Sequence, residues 1–192
     1  GEPITDALKK CPTLRIIQPD HTYYHECSHH MLNLLEAYSP DIRPYSIDEC
    51  FMSYVPFKNG GETPEAAANH IREHIRNALG FTVNIGISTN KLLAKMASDF
   101  KKPDLVHTLF PEEIPQKMWP LPVRDLFMVG RSSARTLELL GIKTIGDLAH
   151  TDPSILTSHL KTHGQTIWEY ANGLEYTPID TRRHIAKGIG NS

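Results

Sequence analysis

The sequence predicts an α+β fold, a mixed helix-and-strand lobe followed by an all-helical one. Three observations carry this reading. A helix pattern, a hairpin pattern, a second helix and an alternating strand follow one another up to Phe110. A proline-rich crossing with Pro111, Pro115, Pro120 and Pro122 then interrupts both periods and is taken as the boundary between the lobes. Beyond it the chain reads as helix throughout.

In chain order, Tyr24, Cys27, Met31, Leu34, Leu35 and Tyr38 recur at helical spacing, with Asp20 as N-cap. Tyr45 to Phe51 is a β-prone stretch broken by two acids. Lys58-Asn59-Gly60-Gly61-Glu62 reads as the most flexible loop. Thr63-Pro64-Glu65 starts a second helix with a cap, a first-turn proline and an acid at the positive end of the dipole. Its stripe is Ala67, Ile71, Ile75 and Ala78, and Gly80 ends it. Phe81, Val83, Ile85 and Ile87 alternate with polar or small residues, as in a half-buried strand. Asn90 caps a short helix whose apolar side is Leu92, Leu93, Met96, Ala97 and Phe100, and Leu105 to Phe110 suits a further strand. In the helical lobe Gly130, Gly141, Gly164 and Gly173 cut the helices, while Thr144 and Asp152-Pro153 restart them. From Thr181 the chain reads as the start of a linker.

The 192 residues are 40% apolar, which excludes disorder as the main state. Apolar runs are too short for a transmembrane helix, and no leader suggests secretion. A net charge of −2 excludes a uniformly basic surface, so any nucleic-acid contact must be local. Three widely spaced cysteines without a CxxC pair point to reduced thiols rather than structural zinc.

Three stretches can carry chemistry. In Ser46-Ile47-Asp48-Glu49-Cys50 the apolar phase changes, odd positions before the acids and even positions after. A bend there would turn both carboxylates toward one site, a hard-oxygen set suited to Mg²⁺ or Mn²⁺. The alternative is an exposed acidic turn. In Asn90 to Pro103, Lys91, Lys95 and Ser98 share a helix face and Lys102 follows. Ammonium groups beside a carboxylate-metal site suit a polyphosphate; the alternative is an ordinary solvated lysine face. In Leu126 to Ile142, a turn at Gly130 precedes a helix whose first N–H groups point outward, with Arg131 and Arg135 adding charge. A plain turn between packed helices is the alternative.

Together these stretches resemble the Y-family (translesion) DNA polymerases, including the bacterial ImpB/MucB/SamB/UmuC-type members. Ser46-Ile47-Asp48-Glu49 matches the family's palm motif. Gly86-Ile87-Ser88 with Asn90-Lys91 and Ala94-Lys95, then Lys102-Pro103, matches its lysine motif, and Leu126 to Ile142 its helix-hairpin-helix. The resemblance implies a partial ferredoxin-like palm with fingers helices, followed by an all-α helix-hairpin-helix thumb. It divides the chain into partial fingers (1–40), palm (41–115), thumb (116–180) and the start of a linker (181–192). It implies that Asp48 and Glu49 are catalytic and bind two Mg²⁺ or Mn²⁺ ions. Lys102, with Lys95 as a second choice, would hold the incoming deoxynucleoside triphosphate. Met128, Val129, Gly130, Arg131 and Ser132 would grip primer-template DNA. The implied activity is lesion-bypass DNA synthesis within DNA repair and the SOS response, in the bacterial cytoplasm at the nucleoid. A sliding clamp would be met through segments outside this sequence, and no membrane is involved.

The sequence also departs from the family. The family's first strand, with a further metal-binding aspartate, is not found, and no Asp-x-Asn-x-Phe-Phe pattern occurs. That strand lies mid-sheet in the family, so two strands here should lack a partner. The expectation is a fragment of a longer polymerase that does not extend primers alone. Where Met128 stands the family usually has glycine, and a side chain there could crowd a phosphate. Two other readings stay open: a non-catalytic DNA-binding module with the polymerase fold, and zinc on His21, His25 and His29, which share one helix face. Trp119 and Trp168 read as packing anchors, and His70 and His74 as exposed.

Overall fold

The structure, a computed structural model, describes residues 2–54 and 62–177. The predicted loop at 58–61 and the linker from Thr181 lie outside the described residues.

A short helix, α1 (Ile4–Lys10), buries no residue and was not foreseen, since it carries no apolar stripe. Helix α2 (His21–Leu35) starts where Asp20 accepts the Tyr23 N–H at 3.0 Å. Only its second half packs: Met31 and Leu35 are buried, whereas Tyr24 is exposed. Strands β1 (Ile42–Pro44) and β2 (Cys50–Met52) pair antiparallel, Pro44 opposite Cys50. Helix α3 (Pro64–Leu79) is capped by Thr63 and closed by Gly80, as the sequence indicates. Its buried face is Ala67, Ala68, Ile71 and Ile75, however, and Ala78 is exposed.

The predicted strand from Phe81 shortens to β3 (Ile85–Ile87). The Asn84 side chain explains the start. It donates to the carbonyls of Ser98 and Lys101 and accepts the Leu105 N–H, so ladder pairing begins after it. Helix α4 (Lys91–Asp99) lies directly on β3. A Cβ built on Gly86 would stand 1.9 Å from the Ala94 carbonyl oxygen, so only glycine permits this approach. Strand β4 (Val106–Thr108) pairs parallel to β3, Ile85 opposite Val106. Among the described residues the strands form two separate two-stranded sheets, β1-β2 and β3-β4.

The proline crossing is itself structured. A 3-10 turn at Pro111–Glu113, α5 (Ile114–Lys117) and a second 3-10 turn at Val123–Asp125 bury Ile114, Met118 and Val123. Four helices follow: α6 (Arg131–Leu139), α7 (Ile145–His150), α8 (Pro153–Leu160) and α9 (Thr162–Ala171). Thr144 and Asp147 form a reciprocal capping box at α7, and Asp152 caps α8. Gly164 does not cut a helix; it lies inside α9. A Cβ there would come within 2.4 Å of the Leu156 carbonyl oxygen, so this glycine marks a close approach of α8 and α9. One continuous core joins Leu92, Leu93 and Met96 of α4 to Leu137, Leu148 and Ile167 of the helical part. A smaller one gathers Met31, Leu35, Ile71 and Ile75. Trp119 packs on the large core, and its indole N–H donates to Ala171 at 2.9 Å. Trp168 is also half-buried there.

Candidate active site

The acidic bend is built by the hairpin backbone. The N–H groups of Tyr45 and Ser46 both donate to the Glu49 carbonyl, at 2.8 and 3.1 Å, which closes the chain over residues 46–48. Asp48 thus sits at the exposed tip and Glu49 at the root of β2. The Ser46 hydroxyl donates to Asp48 Oδ1 at 2.7 Å. Below the bend, the Tyr45 ring meets Phe51 and Phe127 edge-on at 5.7 and 6.1 Å. Aromatic contact therefore ties the hairpin to the helical part.

Asn90 caps α4 by accepting the Leu93 N–H at 2.8 Å, and its amide donates to the Gly173 carbonyl at 2.9 Å. Lys95 lies between Glu49 and Asp99; its Nζ bonds Glu49 Oε1 and stands 3.0 Å from Asp99 Oδ2. Lys102 reaches the other oxygen of Asp99 at 2.9 Å. Burial works to lower the Lys95 pKa, but the bonds to Glu49 and Asp99 outweigh it and hold the ammonium above the usual lysine range. Burial likewise works to raise the Asp99 pKa, and Lys102 with Lys95 brings the net shift below the usual carboxylate range.

These groups share one open cleft of about 990 Å³. Asp48 and Glu49 line it from the hairpin, Lys91 and Lys95 from α4, and Lys102 from the segment after α4. Its other walls mix apolar side chains, Met31, Ile71 and Ile75 among them, with polar ones such as Asn84, Ser88 and Asp104. The five predicted groups are thus brought to one space. Among the described residues no three His, Cys, Asp or Glu side chains gather as a metal cluster. The zinc reading on His21, His25 and His29 accordingly finds no assembled site; their side chains stand exposed on α2. Asp48 and Glu49 remain a two-carboxylate oxygen set. That fits a magnesium-type ion, which takes one or two carboxylates and fills its shell with water and phosphate oxygens.

The predicted DNA-gripping turn lies on a separate cavity of about 600 Å³, lined by Arg124, Gly130, Arg131 and Arg135 among others. Met128, 55% exposed, adopts φ 70°, the left-handed region that favours glycine. Val129 N–H closes the turn on the Leu126 carbonyl at 3.0 Å. Gly130 then begins α6 with no side-chain cap, which leaves first-turn N–H groups to outside acceptors.

Sequence reading missed one group that lines the cleft, Asp104, and two that bond residues lining it, Asp99 and Ser46. Asp99 could have been found, since it lies four residues after Lys95 and three before Lys102. Ser46 offered a two-residue bond to an acid. Asp104 gave no local signal. It binds Arg72 and Arg76 of α3 at 2.8 and 3.0 Å, and the Arg72 bond above all holds its carboxyl below the usual range.

Comparison with known proteins fits this geometry. The pattern of the impB/mucB/samB family matches residues 1–99, and that of the IMS family HHH motif matches residues 111–142. DNA polymerase IV of Clostridium acetobutylicum is 51% identical over 191 residues, covering 100% of this chain and 48% of that protein. The crystal structure of DinB from Sulfolobus solfataricus superposes with a TM-score of 0.82 at 25% identity, over 94% of this chain and 53% of that one. An insertion ternary complex of Dbh DNA polymerase gives 0.80 at 25% identity, over 94% and 53%. The chain spans about half the length of the curated relatives it matches. The resemblance to Y-family polymerases drawn from the motifs holds, and so does the α+β fold class with its helical hairpin. Because one family pattern runs through both the acidic bend and the lysine helix, over more than half of the sequence, the chain belongs to the impB/mucB/samB family.

Proposed function

We propose that this chain supplies part of a Y-family DNA polymerase that copies damaged templates. In this reading residues 1–40 belong to the fingers, 41–115 to the palm, 116–180 to the thumb and 181–192 to a linker. The observation that carries it is the convergence of Asp48, Glu49, Lys95 and Lys102 on one cleft.

Asp48 and Glu49 would hold the two divalent ions. When bound, such ions lower the pKa of the primer 3′ hydroxyl and neutralise charge on the reacting phosphate. Lys102 would bind the triphosphate, whose charge grows on the leaving pyrophosphate. Lys95 balances the charge of Glu49. Met128 to Ser132 would grip the duplex backbone through first-turn N–H groups and Arg131. Deoxynucleoside triphosphate and primer-template DNA are the partners, with a sliding clamp reached through other segments. The work would be done in the cytoplasm during the SOS response.

The edges of β2 and β3 that pair with no described strand support a further element. A strand from outside these residues, bearing another metal-binding aspartate, would join the two sheets. The 192-residue chain alone is then expected not to extend primers.

Primer extension by the full-length protein tests the reading. Asp48→Asn should lower the rate by roughly 10²–10³-fold, the scale of losing one preorganised charge-stabilising group. The second reading, a DNA-binding module without chemistry, draws on the fact that no three metal-ligating side chains gather among the described residues. It predicts duplex binding with no synthesis and no Mg²⁺ or Mn²⁺ dependence at Asp48.

A further inference from the structure

The charges around Lys95 form a chain: Glu49, Lys95, Asp99 and Lys102 alternate in sign, each in contact with the next. Lys95 is the most enclosed, its side chain 15% exposed, whereas Lys102 is 58% exposed and reaches into the cleft from the segment after α4. Each middle member serves two partners of opposite charge. A side chain drawn closer to one partner moves off the other, and its attraction to that partner falls with distance.

We propose that Lys95 and Asp99 are positioning residues that couple a divalent ion at the acidic bend to the freedom of Lys102. This rests on the reading of Asp48 and Glu49 as ion ligands. Without an ion, Lys95 supplies the positive charge that Glu49 needs, and Asp99 is shared between Lys95 and Lys102. A divalent cation on Glu49 takes over that compensation and repels the ammonium of Lys95. Lys95 then turns wholly to Asp99, its remaining carboxylate. Asp99, now satisfied, releases Lys102 into the cleft to meet a polyphosphate. No bond is made or broken; only ion pairs exchange. The triphosphate-binding lysine would thus be freer to meet its ligand when the metal is in place.

The test reads Lys102 itself rather than turnover. The full-length protein is labelled briefly with an amine-acylating reagent, with and without Mn²⁺, and acylation at Lys102 is located by fragment mass spectrometry. Mn²⁺ binding is measured in parallel by electron paramagnetic resonance. In the unmodified chain Mn²⁺ should raise labelling of Lys102 about two- to fivefold, the range expected on releasing an exposed ion pair. Asp99→Asn should give the high labelling without Mn²⁺ and no further rise. Lys95→Met should give low labelling, because Asp99 then serves Lys102 alone, together with tighter Mn²⁺ binding, because the competing ammonium is gone. Mn²⁺ that binds in an Asp48-dependent way while Lys102 labelling stays constant would overturn the exchange but leave the ion site standing. Mn²⁺ binding that Asp48→Asn leaves unchanged, or none at all, would overturn the ion site and the exchange with it. Unaltered Lys102 labelling in Asp99→Asn would remove Asp99 from the relay in either case.

Discussion

Leu137, Ile145, Leu148, Leu156 and Ile167 are wholly buried within one core that runs from α4 through α9. In the first part of the chain the second core has only Met31, Leu35, Ile71 and Ile75 buried, and half-buried side chains such as Ile42, Met52, Val83 and Ile85 ring it. The helical part satisfies its backbone locally, helix by helix. Among the described residues the strand-bearing part leaves sheet edges unpaired and half-buried side chains facing a cleft. The difference teaches where the molecule stores stability and where it keeps room for ligands. The candidate chemistry lies on the open side, supported by α4, which belongs to the closed core.

The sharpest way to break this contrast is a pair of truncations. Leu156→Ala, in the closed core, should destabilise the chain by about 2–5 kcal/mol, since the cavity cannot refill. Met31→Ala lines a cleft that water already enters, and should cost about 2 kcal/mol or less, the low end of that range. Urea unfolding compares them, and equal losses would erase the distinction. Next comes the seam between the two parts. Gly86→Ala should cost about 1–3 kcal/mol, because β3 must move off the Ala94 carbonyl. The loss should be read in the thermal unfolding midpoint.

Acid should act on both parts through carboxylates whose folded pKa is depressed. Arg72 holds Asp104 down in the open part, and the backbone N–H of Thr144 followed by that of Lys143 holds Asp147 down in the closed part. A carboxyl with a folded pKa below its unfolded one stabilises the fold above the unfolded value. It loses that contribution as pH falls through the folded value. The unfolding midpoint should therefore decline as pH drops below the ordinary carboxylate range. Asp147→Asn should flatten the decline seen by fluorescence of Trp119 and Trp168, which both lie in the closed part. Asp104→Asn should flatten the decline in helix signal more than in that fluorescence. The smallest effect concerns the thumb turn: Arg131→Ala should reduce the salt slope of duplex binding by about 1, similarly for all sequences. Fluorescence anisotropy with the full-length protein reads it, and a sequence-dependent loss would argue against a phosphate contact.

Helices were legible wherever a cap marked them. Asp20, Thr63, Asn90, Thr144 and Asp152 all accept the first-turn bonds that their residue types suggest. Strands were legible in place but not in extent. Each spans three residues, because a strand's length depends on neighbours contributed by distant chain, and Asn84 stops pairing by reaching across to α4. Gly164 misled because a glycine that permits contact looks the same in sequence as one that ends a helix. At the site, Asp48, Glu49, Lys95 and Lys102 were found through local pattern and family likeness. The Arg72–Asp104 pair spans 32 residues and could be seen only after folding. Met128 was noted as a departure from glycine, but its positive φ is a property of the folded turn.

The account rests on the acidic bend as a holder of divalent ions for nucleotide transfer. Anomalous diffraction from Mn²⁺-soaked crystals of the full-length protein, with primer-template and an unreactive nucleotide, tests this directly. The account predicts Mn²⁺ peaks within about 2.0–2.6 Å of carboxylate oxygens of both Asp48 and Glu49. Peaks elsewhere, with Asp48 turned to solvent and Glu49 still bound to Lys95, would contradict it.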